Sequence, residues 1–173
     1  MARAMWLSVL MALAWVSCAG AAAPLVHTLD RSGLEALLTE RGQQVLREQN
    51  GGVIAARRGG PELWLALADC APSGACGFLR MRGAWPVGSR QAALKAAEEY
   101  DSSVPLAFLS IENREGQNVV LAGRDVWIRP GRSRANLLVE LALAERLLAD
   151  VTTALLNADP GLAEYWELAL AQR

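Results

Sequence analysis

Residues 63–85, LWLALADCAPSGACGFLRMRGAW, constrain this chain more than any other stretch. Two apolar runs each carry a cysteine where a short Pro/Gly loop joins them, which predicts an antiparallel hairpin. Setting Cys70 opposite Cys76 sets Leu67 opposite Leu79, Leu65 opposite Met81 and Leu63 opposite Gly83. Those residues point to one side, because strand side chains alternate with period two. The other side then carries Ala68 opposite Phe78, Ala66 opposite Arg80, and Trp64 opposite Arg82 as a cation–π pair. Facing cysteines stand about 4.5–5.5 Å apart at Cα, within disulfide range. A slip of one residue would scramble every facing pair. The loop from Ala71 to Ala75 holds the Pro, Ser and Gly of a tight reversal. Closing so short a loop contributes roughly 2–2.5 kcal/mol by chain entropy.

The first residues set the compartment in which that bridge is expected. Arg3 precedes the apolar run MWLSVLMALAWVSCAGAAA, which ends in small residues. This is the pattern of a secretory signal peptide over residues 1–22, cleaved after Ala21 or Ala22. The alternatives are a short membrane anchor and a lipoprotein acylated at Cys18, although Trp15, Val16 and Ser17 make a poor lipobox. Cleavage removes one arginine and no acid, so 17 basic and 18 acidic residues become 16 and 18, and three cysteines become two. An even cysteine count suits an exported, oxidised protein, periplasmic or secreted. A slightly acidic chain argues against a nucleic-acid partner or an anionic membrane surface. No second long apolar run follows, so no membrane contact is expected after cleavage.

Residues 23–29 read as a flexible arm, and residues 30–157 as one domain with a substantial core. In DRSGLEALLTER, Ser32 and Glu35 form a capping box ahead of a leucine stripe, and Gly42 ends the helix. QQVLREQ and VIAARR are strands joined by Asn50-Gly51-Gly52, and residues 58–61 turn into the cysteine hairpin. SRQAALKAAEEY is a helix capped by Ser89. Residues 105–112 are a strand with Phe108 on one face and Leu109 and Ile111 on the other, and VVLAGRDVWI returns antiparallel. Ser133 caps a long helix to Asn157, with Leu137, Leu141, Ala144, Leu148, Val151 and Leu155 along one stripe. Asp159-Pro160-Gly161 breaks it, and residues 158–173 form a short helical extension. The order α-β-β-β-β-α-β-β-α predicts an α+β antiparallel sheet packed on the long helix.

The helix, the strand pair and the hairpin LALADCAPSGACGFLRMRGAW, followed by the helix start PGRSRANLL with Gly131, Asn136 and Leu137, resemble the exported branch of the YbjN-domain family. The resemblance covers about residues 30–155. It implies a fold similar to type III secretion chaperones and a role in bacterial sensory transduction regulation, without a defined activity. It also implies pairing of copies through a helix or strand. Where the family has Asn-x-Trp-Asn, this chain has Glu98-Glu99-Tyr100-Asp101, so any partner contact made through those amides does not carry over.

Candidates for chemistry are few. His27 is the one histidine and lies in the expected arm, where a triad or metal site would lack anchorage. The cysteines are six apart, not Cys-x-x-Cys, and read as a structural bridge rather than a redox or zinc pair. Glu98, Glu99 and Asp101 read as the solvated end of a helix or, alternatively, as acids of an envelope enzyme. The glycine pairs form no phosphate-binding loop. Trp64 shares a hairpin side with Arg80 and Arg82; that side is either an open binding surface or covered by the C-terminal helix bearing Tyr165 and Trp166. Trp127, like Tyr100, belongs to the same set of informative aromatics.

The reading is a non-catalytic, cofactor-free binding or regulatory module that recognises another protein or peptide, and can form a homodimer. Trp64, Arg80, Arg82 and Tyr100 are its candidate partner surface. A structural or chaperone-like envelope component, or an enzyme using Glu98 and Asp101, are the alternatives. Thiol labelling of protein recovered from its exporting cell should leave Cys70 and Cys76 unmodified unless the protein is first reduced. Labelling without reductant would remove the inferred compartment.

Overall fold

In the computed structural model, which describes residues 24–49, 53–57, 61–99 and 107–171, the central element is a six-stranded antiparallel sheet. The expected signal peptide with Cys18, the turns at 50–52 and 58–60, Tyr100 and Asp101 lie outside the described residues. In chain order the elements are β1 (Leu25–Val26), α1 (Arg31–Glu40), β2 (Gln44–Gln49), β3 (Val53–Arg57), β4 (Leu63–Cys70) and β5 (Cys76–Val87). There follow α2 (Arg90–Glu99), β6 (Ala107–Arg114), β7 (Gln117–Trp127), β8 (Arg132–Ser133), α3 (Arg134–Ala158) and α4 (Leu162–Ala171). The large sheet runs β2-β3-β4-β5-β7-β6, and β1 and β8 make a separate two-stranded ribbon.

The hairpin register is the expected one. Trp64 faces Arg82, Leu65 Met81, Ala66 Arg80, Leu67 Leu79, Ala68 Phe78, and Cys70 Cys76. β7 continues it across β5, with Leu79 opposite Val126, Met81 opposite Arg124, Gly83 opposite Ala122 and Trp85 opposite Val120. One face of the sheet therefore presents Leu63, Leu65, Leu79, Met81, Trp85, Val120, Ala122 and Val126, all buried. The helices cover that face: Leu34, Leu37 and Leu38 of α1, Ala93 and Ala96 of α2, and Leu162 of α4 join one core with it. Most of the cover comes from α3, whose Leu137, Leu141, Ala144, Leu147, Leu148, Val151 and Leu155 are buried. Gly83 lets α3 approach, because a Cβ there would stand 2.8 Å from Leu148 Cγ. Trp85 meets the helix with its polar edge satisfied: its indole N–H donates to Thr152 Oγ1 at 3.0 Å.

Helix ends follow their local chemistry, with one change from expectation. Ser133 caps α3 by accepting from the Asn136 amide at 3.1 Å, and Ser89 accepts from the Ala92 amide at 3.4 Å. The cap of α1 is Asp30, not Ser32. Its carboxylate accepts from the Gly33 amide at 2.8 Å and from the Ser32 hydroxyl at 3.0 Å. A carboxylate at the helix N-terminus outcompetes the hydroxyl two residues on, which becomes its donor. The Gly33 amide, then the Ser32 hydroxyl, hold the Asp30 carboxyl below the ordinary range. That contribution is present above the unfolded-state value and fades as pH falls through the lowered one. At the other end, Gly42 takes φ +67° and the Gln43 amide donates to Leu38 O, a Schellman closure.

The segment expected to be a flexible arm is paired. Leu25 and Val26 face Ser133 and Arg132 in the β1–β8 ribbon. Leu29 and Cys76 exchange both backbone hydrogen bonds, at 2.8 and 2.9 Å, and the Leu29 side chain is buried in the core. His27 Nδ1 donates to Pro130 O at 2.5 Å. Pairing between residues a hundred positions apart leaves no local pattern, which is why an arm was expected.

Two carboxylates seat α3. Glu140 pairs with Arg124, a core-face residue of β7 that is 3% exposed, and also accepts from Arg132 at 2.8 Å. Glu145 accepts from Arg41 at 2.7 Å and from Gln43 at 2.5 Å. Removing one member of a buried pair strands the other charge, at a cost of about 3–5 kcal/mol. Glu140→Ala should therefore lower the urea midpoint strongly, while the double change Arg124→Met/Glu140→Leu recovers most of the loss. Equal stability of Glu140→Ala and wild type would show that Arg124 does not depend on Glu140.

Candidate functional site: the open sheet face

The face of the sheet turned away from the helices carries the even positions of β4 and β5. By register its rows are Ala68–Phe78–Trp127, then Ala66–Arg80–Asp125, then Ala55–Trp64–Arg82–Gly123–Phe108. Ala84, Leu121 and Ser110 form the next row. The face thus has a low floor of alanine and glycine from which aromatic rings and guanidinium groups rise. Trp127 is 62% exposed and Phe108 37%, so among the described residues no helix covers them. α4 sits elsewhere: Leu162 enters the core, Trp166 donates its indole N–H to Pro86 O at 2.8 Å, and Tyr165 meets Gln117. The C-terminal helix bearing Tyr165 and Trp166 therefore does not fold over Trp127 and Phe108.

Neighbouring side chains hold this surface in place. Phe78 and Trp127 meet edge to face with centroids 4.6 Å apart, and Arg80 lies over the Phe78 ring at 5.5 Å. Arg82 leans away from its facing residue Trp64. Its guanidinium crosses Gly123 to stack on Phe108 at 4.4 Å, and it pairs with Asp125 at 2.5 Å while donating to the Met81 and Arg124 carbonyls. The expected Trp64–Arg82 stacking is therefore replaced by Arg82 on Phe108. The reason is steric: Gly123, with no side chain, leaves the path across β7 empty, and Asp125 draws the charge along it. Beyond the hairpin end, Asp69 and Arg129 pair at 3.4 Å across Gly77.

Trp64, Arg80 and Arg82 thus share one face as expected, whereas Tyr100 falls outside the described residues. Phe108 and Trp127, with Phe78 buried beside Trp127, line this side as well, although none of the three is among the expected partner residues. Extending the hairpin register to VVLAGRDVWI would have found Trp127 opposite Phe78. Of the acids considered for catalysis, Glu98 is exposed on α2, and the Glu99 side chain and Asp101 lie outside the described residues. Among the described residues no three of His, Cys, Asp and Glu lie close enough to hold a metal ion, and no helix is long and apolar enough to cross a membrane. The small-residue seam between α2 and α3, lined by Ala93, Ala96, Val120, Val151 and Leu155, is packed shut. Cys70 Sγ and Cys76 Sγ lie 2.08 Å apart, with Cα atoms at 3.9 Å, closer than the facing-pair expectation.

A Cβ on Gly123 would stand 2.2 Å from Met81 O and 2.8 Å from Arg82 Cδ. Gly123→Ala should cost about 1–3 kcal/mol, the range for overpacking, read as a lowered melting temperature. An unchanged melting temperature would mean that Arg82 does not cross this position.

No protein-family model matches the chain, and no curated protein matches it in sequence. Among solved structures, its fold is similar to the crystal structure of YbjN, a candidate transcription regulator from E. coli. The TM-score is 0.58 at 11% identity, over 79% of this chain and 96% of that one. The α+β fold expected from the sequence, an antiparallel sheet on a long C-terminal helix, is thus a YbjN-like fold.

Proposed function

We propose that this protein is a non-catalytic regulatory or binding module of the YbjN type that recognises another protein through the open face of its sheet. The observation that carries the reading is the combination of exposed Trp127 and Phe108 with Trp64, Arg80 and Arg82 on a face that the helices leave bare. Tryptophan and arginine are the residues most often found to anchor protein interfaces. An open antiparallel face facing only water is ordinarily polar. The likeness to YbjN supports the reading as a likeness of fold, and the hairpin and the start of α3 support membership of that family. Export to the periplasm or medium is part of the proposal, supported by the leading apolar segment and the paired cysteines. So is the signal peptide over 1–22.

The test is site-specific photo-crosslinking in the exporting cell. A photoreactive residue at position 127 or 108 should give discrete adducts, and the same residue at Val139, exposed on α3, should not. Absence of adducts specific to positions 127 and 108 would remove the binding face. An adduct of twice the protein's own mass would make the partner a second copy.

A further inference from the structure

We infer that the open face receives an acidic amphipathic helix from another protein, with its apolar stripe on Trp127 and Phe108 and its carboxylates on Arg80. This rests on the binding-face reading above and names the class of partner. The charges on the face select the sign. Among the described side chains, its strand positions hold four arginines, Arg57, Arg80, Arg82 and Arg114, against two carboxylates, Asp125 and Glu112. Both carboxylates are already engaged, Asp125 by Arg82 and Glu112 by Arg114. Arg80 is exposed and stacks on the Phe78 ring, and among the described residues no carboxylate pairs with it, which leaves its guanidinium N–H groups for an incoming carboxylate.

The backbone selects the conformation. Over residues 64–66 of β4, 78–82 of β5 and 118–124 of β7 the strands are paired on both sides, so the amides and carbonyls there are spent within the sheet. An extended segment laid on this face would bury its own N–H and C=O groups against side chains, without partners. A helix satisfies those groups internally and presents one apolar stripe. Extended segments belong instead at the edges, β2 and β6, where ladder positions are open. Ala66, Ala68 and Ala84 carry only methyl groups on this side, which lowers the floor around Arg80. A second copy of the face is disfavoured, since it would set one arginine-rich surface against another.

The experiment is selection of random 20-residue displayed peptides on the purified full chain, with counter-selection on the Arg80→Glu/Trp127→Ser variant. The enriched peptides should carry apolar residues at i, i+3 or i+4, and i+7, flanked by Asp or Glu. Each should bind Arg80→Glu at least tenfold more weakly than wild type, and a Glu→Lys peptide should regain that loss on the variant. Enrichment of basic or proline-rich extended peptides, or of nothing that separates wild type from the variant, would overturn the inference. If crosslinks from position 127 persist in that case, the face binds a partner of another class; if they are absent too, the binding-face reading falls with it.

Discussion

The seating of α3 on β4, β5 and β7 decides almost everything else about this molecule. Its leucine stripe supplies burial, but burial is non-directional and would tolerate the helix at several angles. Direction comes from Glu140, held by Arg124 and Arg132, and from Glu145, held by Arg41 and Gln43. Buried ion pairs add little net stability, yet a displaced one leaves a charge unmet in the interior. The helix is therefore pinned at two points to elements far away in the chain. Once it is there, the odd positions of β5 are core, while Arg80, Arg82 and Ala84 face away from the helices.

That division explains why the opposite face can hold residues a core would refuse. Arg80 and Arg82 could not be buried without partners, and Trp127 would need a place for its indole N–H. On an open face they stand over small residues and brace one another through ring and guanidinium contacts. Side chains braced in this way would lose little freedom in the association proposed above, which would lower its ordering cost. The same fold with polar even positions would keep its core and lack the exposed rings and guanidinium groups.

Much of the local structure was legible from residue order. The cysteine spacing and period-two alternation were sufficient for the hairpin register, because both act over a few residues. The Ser133 cap, the stripe of α3 and the break at Asp159-Pro160-Gly161 were legible for the same reason. Arg124 was not recognised as buried, although it falls in phase with Val120, Ala122 and Val126. A charged residue in a core phase announces a partner without saying where that partner lies. Ser32 was read as the α1 cap because Glu35 completes a box, while Asp30 holds that place in the fold.

The sequence by itself determined the hairpin that organises the chain, the α+β order of its elements, and the grouping of Trp64, Arg80 and Arg82 on one side of the sheet. These follow from alternation, capping and turn chemistry, each with a range of a few residues. Only the tertiary structure decided which side the helices cover, that residues 24–29 are paired rather than loose, and that Arg82 crosses Gly123 to Phe108 instead of stacking on Trp64. Those outcomes depend on strands brought together from distant parts of the chain. Two faces of one hairpin look equally available until a helix occupies one of them.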